Sequence, residues 1–359
     1  SGDVTVNDAF KPLSRYFDRV WRPEQLPGAL LGAMRVLTDP VETGAATVAI
    51  PQDVQAEAFD WPESLFAPRT WHIARPLPEK SVIARAAEVI RSAQKPMIVA
   101  GGGVIYSGAT AALASFVSKT GIPVGQSQAG KGAVPYDHPQ SVGAVGSTGT
   151  TAANALATEA DVIIGIGTRY SDFTSASRTA FNNPDVRFVN INVASIDSVK
   201  QGGISVVSDA REALEALEAE LADYEVPADY RTLVSDLATP WDATVSSVYK
   251  IEDPTAPLNQ NQVIGLANTL SDPHDVVVCA AGSMPGDLHK LWRARHPKQY
   301  HMEYGYSCMG YEIAGGLGVK MAAPDREVYV FVGDGSYLML SADLITSIQE
   351  GYKLTVILV

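Results

Sequence analysis

The residues best suited to chemistry lie near the end of the chain. In VYVFVGDGSY an apolar run delivers Asp334 between Gly333 and Gly335, with Ser336 next. Glycine on either side lets the backbone turn sharply, so a carboxylate projects past the strand while the amides of Gly335 and Ser336 are expected to point outward. That is a cation ligand beside an anion nest. Mg2+ takes one or two carboxylates and fills its shell with phosphate oxygens and water, so Asp334 suits a metal-bound diphosphate better than a bare ion. A solvated Gly-Asp-Gly surface turn is the competing reading, and a second feature tilts the choice. YGYSCMGYEIAGGLG, at 304–318, sets a glycine-rich loop ahead of a helix of small residues. Such a loop admits a flat ring close to the backbone, and Met309 stands where an adaptable apolar side chain would support it.

Two other glycine-rich strand ends signal less. GGGVIY, at 101–106, has Tyr106 where a dinucleotide fingerprint wants its third glycine, and no clear acidic ribose partner follows. A tight strand-to-helix turn leads there, with nucleotide binding left open. GIGTRYSDF, at 165–173, departs in the same way at Tyr170, and leaves Arg169 and Asp172 free to face a ligand. Among the six histidines, His289 follows the AAGSMPGD turn and His301 precedes MEYGYS. These two are the candidates for a general acid or base, weighed against packed or surface roles. His72, His138, His274 and His296 lie in polar or proline-bearing loops and read as structural. Tyr304, Tyr306 and Tyr311 read as core or interface.

Strand ends carry ligands when parallel strands alternate with helices. The first segment, 1–60, closes on ATVAIPQDVQ, where Ala46 to Ile50 read as a buried strand stopped by Pro51, and has no complete sheet of its own. Residues 61–80 read as a proline-bearing linker. From 81 to 224 apolar strands (PMIVAGGG, DVIIGIG, VRFVNIN, ISVVSD) alternate with amphipathic helices such as SVIARAAEVIRSA. Residues 225–255, opening on EVPADY, read as a second linker. The alternation resumes over 256–359 with NQNQVIGLANTL, DVVVCAAG, CMGYEIAGGLGVKMA, EVYVFVGDG, LMLSADLITSIQE and KLTVILV. The fold class is therefore α/β, with doubly wound parallel sheets covered on both faces.

Composition narrows the partners. The 359 residues are 46% hydrophobic and 19% charged, as in a folded globular enzyme. A net charge of −13 repels nucleic acid and anionic membranes. Cys279 and Cys308 form no CxxC pair and read as reduced thiols of a cytoplasmic protein. No apolar run is long enough for a membrane span, and SGDVTVNDAF has no signal-peptide character.

GDGS in this strand-helix setting, with GYSCMGYEIAGGLG ahead of it, resembles the diphosphate-binding domain of thiamine-diphosphate enzymes of the acetolactate synthase and pyruvate decarboxylase type. The resemblance runs along the chain: 1–60 is similar to the C-terminal part of a pyrimidine-binding domain, 81–224 to a Rossmann-like central domain, and 256–359 to the N-terminal part of the diphosphate-binding domain. It implies thiamine diphosphate and Mg2+ as cofactors, with Asp334 on the metal. Gly282, Ser283, Ser307, Cys308, Met309, Gly335 and Ser336 would lie around the cofactor, Met309 as the wedge under it. The family's activating glutamate is expected upstream of Ser1, and the asparagine that completes the metal site beyond Val359. VTVNDAFKPLSRYFDRVWRPEQL, GTRYSDFTSASRTAF and HMEYGYSCMGYEIAGGLGVKM resemble, more narrowly, the trihydroxycyclohexanedione acylhydrolases of inositol catabolism. That implies hydrolytic opening of a cyclic 1,2-diketone to a deoxy-glucuronic acid, by a homodimer or homotetramer whose cofactor sits between subunits. Two alternatives stay open: an acetolactate synthase-like carboligase or 2-oxo acid decarboxylase, and a catalytically inactive fragment or binding scaffold.

Overall fold

Apolar strands separated by amphipathic helices can bury both faces only as parallel sheets, and the computed structural model has that arrangement throughout. It describes residues 5–303 and 305–359, so Tyr304 lies outside the described residues. The chain divides into two units, one running to Pro76 and one from Leu77 to Val359. No helix among the described residues is long and apolar enough to cross a membrane.

In the first unit, β1 (Tyr16–Arg19) and β2 (Ala46–Ala49) pair in parallel, joined through the helix Leu26–Leu37. Gly32 lets that helix approach the sheet, since a Cβ there would lie 2.5 Å from the Tyr16 hydroxyl. Its small core is Val20, Ala29 and Val54. β2 was expected to be buried and is half-buried, because a two-stranded sheet under one helix leaves a face uncovered.

The second unit holds two sheets. The larger runs β5-β4-β3-β6-β7-β8, where β3 is Pro96–Ala100, β4 Val124–Gln126, β5 Ser141–Ala144, β6 Val162–Ile166, β7 Arg187–Asn192 and β8 Ile204–Val207. The central strands β3 and β6 are buried along their whole length. Ile98, Ile163, Ile164 and Ile166 are wholly enclosed, each contributing about 2–3 kcal/mol by leaving water. The smaller sheet runs β10-β9-β11-β12, with β9 Val276–Cys279, β10 Tyr300–Met302, β11 Val328–Val332 and β12 Thr355–Leu358. This is the doubly wound architecture expected from the alternation.

Details differ from the sequence reading in instructive ways. Most of 225–255, read as a linker, is the helix Ala228–Tyr249. Tyr230 and Val234 join the core of the larger sheet, and Val245, with Trp241 and Val248, that of the smaller. One helix therefore ties both cores into a single unit. LMLSADLITSIQE, at 338–350, spans the end of one helix, Asp334–Met339, and a second, Asp343–Gln349, with non-helical backbone at Leu340 between them. β5 and β10 were not foreseen, because SVGA and YHM hold too few apolar residues to read as buried strands.

Candidate active site

Parallel pairing carries strand ends to a common edge. The register of β9 with β11, from Val276↔Val328 to Val278↔Val330, sets the turn at 280–283 beside the turn at 333–336. Gly310, at the head of the helix Tyr311–Ala322, hydrogen-bonds to Ser336 in the second of these turns. The residue that joins the three segments is Glu312, which the sequence reading passed over. Its side chain is fully buried, at 0% exposure. Oε1 accepts the Ala281 N–H at 3.1 Å, while Oε2 accepts the Gly310 N–H at 3.1 Å and the Ser336 hydroxyl at 2.7 Å. Gly310 N–H also donates to Ser336 Oγ at 2.7 Å. Gly310 caps the helix at φ +92°, a conformation that disfavours any side chain. Glu312 has a sequence signal, an acid in the first turn of a predicted helix, but that signal normally marks an exposed residue interacting with the helix dipole.

The predicted site residues fall into two groups. Gly282, Ser283, Ser307, Cys308, Met309 and Asp334 are exposed around the strand ends, with Gly335 half-buried among them. A Cβ on Gly282, at φ +86°, would meet nothing within 4 Å, and one on Gly335 would meet only the Met309 methyl, at 3.5 Å. Met309 therefore stands over the Gly-Asp-Gly turn. Ser336 is buried, and its hydroxyl is committed to Glu312. The Gly335 amide, expected to point outward, donates to Asp334 Oδ1 at 2.7 Å. Glu303 shapes the loop in between, accepting the Tyr306 N–H at 3.1 Å and the Cys308 N–H at 2.7 Å. Both cysteines are free thiols. Burial, helped by the Glu312 charge, pushes the Cys279 thiol far up.

The two histidine candidates separate. His289 is enclosed between the sheets, with Nδ1 2.8 Å from Thr148 Oγ1 and Nε2 3.0 Å from the Gln126 carbonyl oxygen. Burial, then the nearby Lys131 ammonium, push its pKa down to about 3, so it is a neutral fastener bonded to Thr148 and Gln126. Lys131 donates to the His289 carbonyl at 2.7 Å and is itself pushed down to about 7 by burial. His301, the middle residue of β10, is half-buried, and its Nε2 lies 2.6 Å from the Tyr311 hydroxyl. Burial lowers its pKa, which favours the neutral ring.

The glycine-rich ends of the larger sheet are closed. A Cβ on Gly101 would lie 2.3 Å from the Gly167 carbonyl oxygen, and one on Gly103 2.6 Å from the Gly167 Cα. The two turns are hydrogen-bonded to each other, Gly103 N–H to Gly167 O at 3.0 Å. These glycines allow backbone to pack on backbone. Tyr170 fills the remaining space, its hydroxyl donating to Asn190 Oδ1 at 2.8 Å. Arg169 and Asp172 remain exposed.

Whether the smaller sheet's edge fits a metal-bound diphosphate is decided by its donors and its space. AAGS, GYSCMGYE and GDGS contain no lysine or arginine, so the charge of a diphosphate has to be met by a cation, and the exposed carboxylate of Asp334 is a hard oxygen ligand of the required kind. Among the described residues no group of three or more His, Cys, Asp or Glu side chains is arranged to hold a metal. One carboxylate, with phosphate oxygens and water completing the shell, is a normal Mg2+ arrangement. Glycines facing open space leave room for the phosphates. The residues present fit the group.

Comparison with known proteins points to the same cofactor. Residues 83–217 match the family described as "Thiamine pyrophosphate enzyme, central domain", and residues 280–359 match "Thiamine pyrophosphate enzyme, C-terminal TPP binding domain". The chain is 46% identical, over 99% of its length, to the 3D-(3,5/4)-trihydroxycyclohexane-1,2-dione hydrolase of Bacillus cereus (strain AH820). Proteins of the same name from Bacillus thuringiensis (strain Al Hakam) and Clostridium tetani (strain Massachusetts / E88) are 45% and 44% identical over the same share. The chain spans 59% of the length of each of these relatives. The second matched segment begins at the β9 turn and contains the strand-end residues of the smaller sheet from Gly282 to Ser336, and on this agreement of sequence and geometry the chain belongs to the thiamine pyrophosphate enzymes.

Proposed function

We propose that the protein containing this chain opens trihydroxycyclohexane-1,2-dione hydrolytically between its two carbonyls, using thiamine diphosphate and Mg2+. The observation that carries the reading is the 46% identity to a hydrolase of that name along nearly the whole chain. One water is consumed: the carbon–carbon bond breaks, one carbonyl carbon becomes a carboxylate and the other, after protonation, an aldehyde. Bound thiamine diphosphate supplies the electron sink for that cleavage.

This chain's residues bind and orient. Asp334 would ligate Mg2+; Gly282, Ser283 and Gly335 would let the phosphates approach the backbone, with Ser307 and Cys308 on the facing loop and Met309 supporting the ring. Ser336 would act through its hydrogen bonds to Glu312 and Gly310. His301, in β10 and paired with Tyr311, is the histidine better suited to holding or passing a proton, because its neutral ring is only half-buried and already bonded to a hydroxyl. Leu338, Met339, Ile345 and Ile348 are exposed at 77%, 63%, 62% and 72% beside the site, an apolar surface that supports a homodimer or homotetramer. The free thiols and acidic charge suit a cytoplasmic protein.

The test is to supply the full-length protein, with thiamine diphosphate and Mg2+, with the cyclic diketone and with pyruvate. One carboxylate formed per diketone and no CO2 from pyruvate is the expected result. Turnover of pyruvate with an inert diketone would replace the hydrolase by a decarboxylase or carboligase.

A further inference from the structure

The cofactor reading leaves Glu312 without a role, and the role it can take is set by burial and donor count. A carboxylate with no exposure is costly unless donors satisfy it. Here every hydrogen bond it makes is accepted, and the donors come from three separate segments: Ala281 after β9, Gly310 before the helix Tyr311–Ala322, and Ser336 after β11. Cross-linking through Ser336 Oγ, which accepts from Gly310 N–H at 2.7 Å while donating to Glu312, closes the arrangement into a network. The exposed residues of the proposed cofactor site are direct chain neighbours of these contacts. Gly282 follows Ala281, Met309 precedes Gly310, and Asp334 and Gly335 precede Ser336.

We propose that Glu312 is a positioning residue for the thiamine diphosphate site: one buried carboxylate sets the mutual placement of the phosphate-end turn, the wedge loop and the metal turn. The inference rests on the cofactor reading for its purpose and on hydrogen-bond geometry for its mechanism. Glutamine has the same shape but presents an oxygen on one side only. Its NH2 must then oppose either Ala281 N–H or the Gly310 and Ser336 donors, leaving a buried donor unsatisfied. The three segments should therefore loosen together in Glu312→Gln.

Two measurements on the full-length protein test this. The first is amide hydrogen exchange without cofactor, comparing wild type with Glu312→Gln. Faster exchange in 280–283, 307–311 and 333–338 together, with β3 and β6 unchanged, is expected; acceleration in a single segment would overturn the network. The second is calorimetric titration with thiamine diphosphate in excess Mg2+. An affinity loss of about tenfold or more is expected for Glu312→Gln, about 1.4 kcal/mol at that ratio, with kcat largely recovered at saturating cofactor. Equal affinity in wild type and variant would reduce Glu312 to a purely structural residue. Wild type that binds no thiamine diphosphate, with the exchange coupling present, would refute the cofactor reading and leave the network standing. Should Glu312→Gln fail to fold, Ser336→Ala removes one donor and leaves the carboxylate in place; it should raise exchange at 307–311 and 333–338 and weaken binding a few-fold, and unchanged exchange there would overturn the proposal.

Discussion

The two sheets of the second unit both end central strands in glycine, to opposite effect. At the larger sheet, Gly101, Gly103 and Gly167 bring two turns into backbone contact, and the crevice is closed by the protein itself. At the smaller sheet, Gly282 and Gly335 face open space or a single flexible methionine, while a carboxylate behind them fixes where the turns lie. Glycine at a strand end is therefore ambiguous in sequence. What a side chain would meet there decides whether it marks close packing or room for a ligand.

Substitution at the glycines breaks the comparison most sharply. Gly101→Ala drives a methyl into the Gly167 carbonyl and should cost about 3 kcal/mol or more, as overpacking against backbone does. At about 2.1 cal/mol/K of unfolding entropy per residue, that is about 4 °C in Tm for a chain of 359 residues, read by calorimetry. A loss below 1 °C would mean that the turns are not in contact.

A smaller effect should come from the seam between the sheets. His289 is held neutral with a pKa near 3, whereas unfolded it titrates near 6.5. The unfolded chain therefore binds the extra proton between these values, so the stability from the buried neutral ring is complete above about pH 6.5 and is lost as pH falls toward 3. From pH 7 to pH 5 the melt should lose about 2 kcal/mol from this residue, at 1.36 kcal/mol per pH unit. In His289→Gln that part of the slope should flatten, and an unchanged slope would assign acid sensitivity elsewhere.

The smallest change in stability is expected where the comparison predicts tolerance. Gly335 lies in the first turn of a short helix, so Gly335→Ala should leave cofactor-free stability unchanged or raise it by about 0.5 kcal/mol. Cofactor affinity should fall, because the methyl occupies space kept for the ligand. A loss of stability comparable to that of Gly101→Ala would erase the distinction between the two edges.

Much of this was legible in the residues. Short apolar runs rich in β-branched residues, such as PMIVA, VIIGI and VYVFV, read as buried strands, and their alternation with helices indicated the class of fold. Asp334 and Met309 were legible because glycines flank the one and a glycine-rich loop carries the other. The helix Ala228–Tyr249 was hidden behind EVPADY, whose Pro227 suggested a linker, although Tyr230, Val234, Leu237, Trp241, Val245 and Val248 recur at helical spacing. Glu312 was hidden for a different reason. A carboxylate is normally exposed, and only the convergence of donors from distant segments makes a buried one tolerable. The Gly335 amide and the Ser336 hydroxyl turned inward for the same cause, local hydrogen bonds that spacing does not reveal.

The most direct test of the central claim is calorimetric titration of the full-length protein with thiamine diphosphate and Mg2+, comparing wild type, Asp334→Asn at the open edge and Arg169→Ala at the closed one. The account predicts Mg2+-dependent binding in wild type, retention in Arg169→Ala, and loss of at least tenfold in affinity, about 1.4 kcal/mol, in Asp334→Asn. Unaltered binding in Asp334→Asn, or loss in Arg169→Ala instead, would contradict it.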